Sequence, residues 1–132
     1  MEEVEALKPD GEHKELKLLI KIMDMIVYAE PVLMKYPRYV RYTRVADIMR
    51  CMDTIMEKTI EANKKYYRKT TMQELDVEIE KLRKYIRLSY DLKYINEKTR
   101  KLWMERTDEL GRMLGGWMAA SAEPKGGKRY GV

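Results

Sequence analysis

One histidine, one cysteine and a few serines are what this chain offers to metal or nucleophilic chemistry, and none sits at a useful spacing. His13 is the only histidine, so the Glu-x-x-His pairs with which helical bundles hold two metal ions cannot be assembled, and His13 reads as a solvated residue. Cys51 is the only cysteine. It lacks a partnered base and a second thiol, which makes it a packing residue and leaves no intramolecular disulfide. Ser89 and Ser121 have no histidine in pattern, and Gly126-Gly127-Lys128 lacks the strand-loop-helix frame and glycine spacing of a phosphate loop. Glu74, Asp76, Glu78 and Glu80 recur among lysines as a solvated, ion-paired helix face does. The sequence supplies no catalytic constellation, metal site or cofactor motif, and the expectation is a protein that is not an enzyme.

The cations carry more information. The formal net charge is +5, which suits a polyanionic partner without requiring one. Arg38, Arg41, Arg44 and Arg50 follow one another closely. Lys64, Lys65, Arg68 and Lys69 form a second group, part of which complements a helix C-terminus. From Lys81 to Lys101 the chain holds Lys81, Arg83, Lys84, Arg87, Lys93, Lys98, Arg100 and Lys101 against only Asp91 and Glu97. Arg83 and Arg87, four apart, share a helical face, with Tyr90 and Tyr94 along a neighbouring line. Such a ridge can hold a phosphate backbone while bases stack on rings; the bland alternative is a solvated face. The candidate nucleic-acid or partner contacts are Arg83, Lys84, Arg87, Arg38, Arg41 and Arg44.

The elements that position these residues are helical. A length of 132 residues with 45% hydrophobic and 37% charged residues, 4 prolines and no phenylalanine fits one all-α domain. Lys21 and Asp24 interrupt the most apolar segment, so no membrane span is expected, and an acidic start without a basic-then-apolar leader points to the cytoplasm. From His13 to Lys35, Leu16, Leu19, Ile20, Met23, Ile26 and Val27 form one stripe, and Leu18, Ile22, Met25, Ala29 and Val32 a second. Two apolar faces on one helix call for a bundle core and a further subunit.

Tyr36-Pro37 ends that helix. A second helix keeps Val45, Ile48, Met49, Met52, Ile55, Met56, Thr59, Asn63 and Tyr66 in register as far as about Arg68. Thr71 and Glu74 fit a capping box, predicting a third helix from near Met72, with Leu75, Ile79, Leu82, Ile86 and Ser89 inward. Val77, Tyr85, Leu88 and Leu92 make its second apolar strip. Asn96 can cap a fourth helix carrying Thr99, Leu102, Trp103, Leu110, Met113, Leu114 and Trp117 to about Ala120. Short connections imply an antiparallel, up-down-up-down four-helix bundle over residues 13–120. Residues 1–12 read as a mobile acidic tail and residues 121–132 as a flexible basic one.

Within the fourth helix, Glu109-Leu110-Gly111-Arg112-Met113-Leu114-Gly115-Gly116-Trp117 places three glycines where each costs about 1 kcal/mol against alanine. Gly111 and Gly115 share a face, open to the close approach of another backbone, and Trp117 adds an apolar anchor. Gly111, Gly115, Gly116 and Trp117 are therefore expected to form a packing motif, within the bundle or between subunits.

That stretch, together with Leu82-Arg83-Lys84-Tyr85-Ile86-Arg87-Leu88 and Tyr36-Pro37-Arg38, resembles the four-helix-bundle superfamily of accessory variability determinant (Avd) proteins and ribosomal intervening-sequence proteins. The likeness runs from about Leu16 to Ala120. It implies a barrel-like homo-pentamer with a basic surface, serving a diversity-generating retroelement. There it would bind the reverse transcriptase and template-repeat RNA or cDNA in mutagenic retrohoming, without being the polymerase. By the same resemblance Arg83 and Arg87 match helix-3 arginines expected to meet nucleic acid or the transcriptase complex. The intervening-sequence branch shares the motif, and implies instead a structural or RNA-association role. The acidic N-terminal extension and the Gly-rich basic tail depart from the pattern.

Overall fold

The computed structural model describes residues 10–121, helices joined by short connections with no strand among them. Helix α1 spans Asp10–Met34. A 3₁₀ turn at Arg38–Val40 and a π turn at Arg41–Val45 lead into α2, Ala46–Lys64. Helix α3 spans Lys69–Asp91 and α4 spans Glu97–Ser121. Residues 1–9 and 122–132, which hold most of the two expected tails, lie outside the described residues, as does the side chain of His13. No described helix is long and apolar enough to cross a membrane.

The four helices make a ring in which each packs on its neighbours in sequence and α4 closes on α1. Of the two stripes on α1, the one with Leu18, Ile22, Met25 and Ala29, continued by Leu33, is buried. The other leaves Ile20, Met23 and Val27 exposed. Ile48, Met52 and Ile55 of α2, Leu75, Ile79, Leu82 and Ile86 of α3, and Trp103, Leu110, Leu114 and Trp117 of α4 complete the core. Two buried threonine hydroxyls are satisfied within their own helices: Thr59 donates to the Ile55 carbonyl at 2.8 Å and Thr107 to the Trp103 carbonyl at 2.9 Å. Cys51 belongs to the core too, with its Sγ donating to the Glu78 carbonyl across to α3 at 3.3 Å. Burial pushes its thiol up to about 12, which suppresses the reactive thiolate.

Two expectations at the α2–α3 connection are corrected. Helix α2 stops at Lys64, because Lys65 is extended (φ −92°, ψ 145°); Tyr66 thereby leaves the apolar stripe and is 85% exposed. The capping box also fails. Helix α3 starts at Lys69, and Thr71 is buried within its first turn, its Oγ1 accepting from Lys65 Nζ at 2.9 Å. Glu74 instead pairs with Lys58 on α2 at 2.8 Å. Burying Thr71 and Met72 requires the chain to be helical already, so the helix starts earlier than the capping pattern indicates.

The cap on α4 forms as expected, Asn96 Oδ1 accepting from the Thr99 amide at 2.8 Å. Before it, α3 closes in a Schellman turn. The Tyr94 amide donates to the Ser89 carbonyl and the Lys93 amide to the Tyr90 carbonyl, both at 2.9 Å, with Lys93 held at φ 66°.

Candidate nucleic-acid interface

The arginines at the first connection are positioned by two valines. Val40 and Val45 are both buried although five residues apart. A turn closed by i→i+5 bonding brings two such positions back toward one side, whereas an α turn of about 3.6 residues would separate them. With the valines anchored inward, Arg38, Tyr39, Arg41, Tyr42 and Thr43 are exposed and Arg44 is half-buried. Among the described residues no carboxylate lies within ion-pair distance of Arg38, Arg41 or Arg44. Arg50, further along, is bound to Asp47 at 3.1 Å.

The α3–α4 connection sits beside this turn. The Tyr36 and Tyr94 rings meet at 5.1 Å between centroids. Burial and the adjacent Tyr39 hydroxyl raise the Tyr94 phenol above its usual range, with Arg44 pulling it the other way. Tyr90, Asp91, Lys93, Tyr94, Ile95 and Asn96 line an open cleft of about 630 Å³. Arg100 grips Glu97 through two bonds, at 3.0 and 2.6 Å, and lies 5.3 Å from the Tyr90 ring centre.

The helix-3 cations are arranged differently. Arg83 is half-buried between α3 and α4, where Nε donates to Asp108 at 2.8 Å and Nη1 to Glu80 at 2.8 Å. Lys84 reaches the same Glu80 at 3.1 Å, and Arg87 pairs with Asp91 at 3.3 Å. Lys84 and Arg83 together hold the Glu80 carboxyl below the usual carboxylate range. Although only one turn apart, Arg83 and Arg87 do different things: the first ties two helices together, and the second is an exposed cation with one partner.

The glycines also divide. A β-carbon on Gly111 would collide with the Arg83 guanidinium, so here the missing side chain admits an arginine rather than a backbone. A β-carbon added at Gly115 or Gly116 would meet nothing within 4 Å among the described residues. Trp117 is fully buried, with Arg68 lying 5.9 Å from its ring centre.

The model of the bAvd-like family matches residues 17–121. The chain belongs to the bAvd-like family. The match takes in α1 from residue 17 onward, the other three helices, both groups of arginines, and the Gly111 to Trp117 stretch of this bAvd-like chain. No curated protein matches it. The family accounts for the helical architecture. What the sequence reading passed over is the pair Tyr39 and Tyr42, each following an arginine; that recurrence of Arg-Tyr at a three-residue interval was the available signal.

Proposed function

We propose that this protein is a noncatalytic accessory subunit of a diversity-generating retroelement, binding its reverse transcriptase and template-repeat RNA or cDNA in the cytoplasm. Membership of the bAvd-like family is the observation that carries the reading. Its support on the protomer is the set of arginines at the α1–α2 connection without carboxylate partners among the described residues, which a polyanion can occupy without displacing an ion pair seen there. Arg83, Lys84 and Arg87 provide a second cationic strip along α3, reached by competing with Glu80, Asp108 and Asp91.

The bundle runs up-down-up-down and assembles into a barrel-like homo-pentamer. Connections of about four residues between α2 and α3 support the first statement. For the second, Ile20, Met23 and Val27 provide an exposed apolar strip on α1, and Gly115 and Gly116 an open surface on α4 that another subunit can approach.

Coexpression with the transcriptase encoded nearby tests the reading. The two proteins are expected to copurify, to bind template RNA with strong salt dependence, and to scatter light as five chains of 15.8 kDa. A gene with no transcriptase or template repeat beside it, and no copurifying transcriptase, would overturn the retroelement role in favour of an intervening-sequence-type bundle with a structural or RNA-association role.

A further inference from the structure

We propose that the end of the bundle built from the α1–α2 and α3–α4 connections is a site for single-stranded nucleic acid. Bases stack on Tyr39 and Tyr42, and Arg38 and Arg41 hold the phosphates. The inference rests on the nucleic-acid reading above and gives it a location and a strand preference.

Tyr39 and Tyr42 are 80% and 87% exposed. Rings so exposed contribute little to the core, and each retains a face on which a base can lie. Each directly follows an arginine that has no carboxylate partner among the described residues. The acids nearby in sequence are already engaged, Asp47 with Arg50, Asp91 with Arg87 and Glu97 with Arg100. Lys35, Lys93 and Lys98 add three cations near the same two connections, also without a carboxylate partner among the described residues. A phosphate chain arriving here therefore breaks no internal ion pair, whereas one arriving at Arg83 must displace Asp108 and Glu80. Tyr39 borders Tyr94, so the exposed rings continue into the cleft that Tyr90 and Tyr94 line.

Stacking on rings selects for single strands, because a duplex presents base faces only at its ends. The opposite end of the bundle provides an internal comparison. Tyr66 and Tyr67 are equally exposed, yet they pack edge-on against each other at 4.7 Å. Of the cations beside them, Lys65 pairs with Glu61 at 2.9 Å and Arg68 lies over Trp117, while Lys64 and Lys69 have no carboxylate partner among the described residues. That end keeps aromatic surface but lacks the run of unpaired arginines.

Fluorescence polarisation with a labelled oligouridylate of about 12 nucleotides tests the site, within the range bound by single-strand modules. Replacing both Tyr39 and Tyr42 by leucine is expected to weaken binding about tenfold or more, while the double phenylalanine variant keeps wild-type affinity. Arg38→Ala with Arg41→Ala should flatten the slope of log affinity against log salt by about 1.4. Tyr66→Leu with Tyr67→Leu should change nothing. Wild-type affinity in the Tyr39→Leu, Tyr42→Leu protein overturns the proposal, as does an equal loss in the phenylalanine pair or in the Tyr66, Tyr67 variant. Wild-type protein that binds no nucleic acid at all defeats the functional reading itself. Binding that persists but ignores Tyr39 and Tyr42 defeats only the site.

Discussion

The Arg83 guanidinium fills the space that a β-carbon on Gly111 would take. The two residues lie on different helices, and the fit lets Arg83 bridge Asp108 on α4 and Glu80 on α3. Gly111 thus answers to one side chain, while Gly115 and Gly116, only four and five residues on, answer to nothing among the described residues.

This separation can be measured as a coupling. Gly111→Ala alone gains about 1 kcal/mol of helix propensity but must push the guanidinium off its carboxylates, so the expected net effect is neutral or destabilising. In an Arg83→Ala background the same change is expected to stabilise by about 1 kcal/mol. Urea unfolding of the four proteins reads the difference; strict additivity would mean that Gly111 has room for a methyl group.

Lys93 sits at φ 66°, a left-handed conformation that strains any residue with a β-carbon. Lys93→Gly is expected to raise stability by about 1 kcal/mol, since the Schellman hydrogen bonds are made by backbone alone. A lower urea midpoint in the glycine variant would contradict this.

Asn96→Ala removes the side chain that accepts from the Thr99 amide and should lower stability by about 1 kcal/mol. Asn96→Asp is expected to retain the cap. Thermal melts of both variants beside the parent distinguish a capping role from a loss common to any substitution there.

Alkaline pH should act through Cys51 and Tyr36. Burial pushes each up to about 12 in the folded chain, from ordinary values of 9.0 and 10.0. Above pH 9 the unfolded chain ionises first and so binds fewer protons. The stability these groups confer is complete below pH 9 and is lost as pH climbs toward 12. Cys51→Ala is expected to flatten the decline between about pH 9 and 10, leaving the later one due to Tyr36. A urea midpoint followed from pH 8 to 11 checks it; an unchanged slope in the variant would show that the thiol is not responsible.

The sequence by itself determined the four helices and nearly all of their inward residues. A period of 3.6 residues is a local property, and core lines such as Leu75, Ile79, Leu82 and Ile86 show it without reference to any neighbour. Asn96 was legible for the same reason, because its partner is three residues away. Family membership was legible in the Gly111 to Trp117 stretch. The expected cap at Thr71 and the expected extension of α2 through Tyr66 were wrong, since both depend on which residues the packed helices must bury.

Tertiary structure decided how the cations are used. Spacing put Arg83 and Arg87 on one face, but only the packing of α3 on α4 brought Asp108 and Gly111 to Arg83; at the α1–α2 connection the fold leaves Arg38, Arg41 and Arg44 without carboxylates among the described residues. Ion pairing depends on distance in space, which residues 25 apart in sequence acquire only when the helices meet. The same packing turned Val40 and Val45 inward, leaving Tyr39 and Tyr42 exposed beside those arginines.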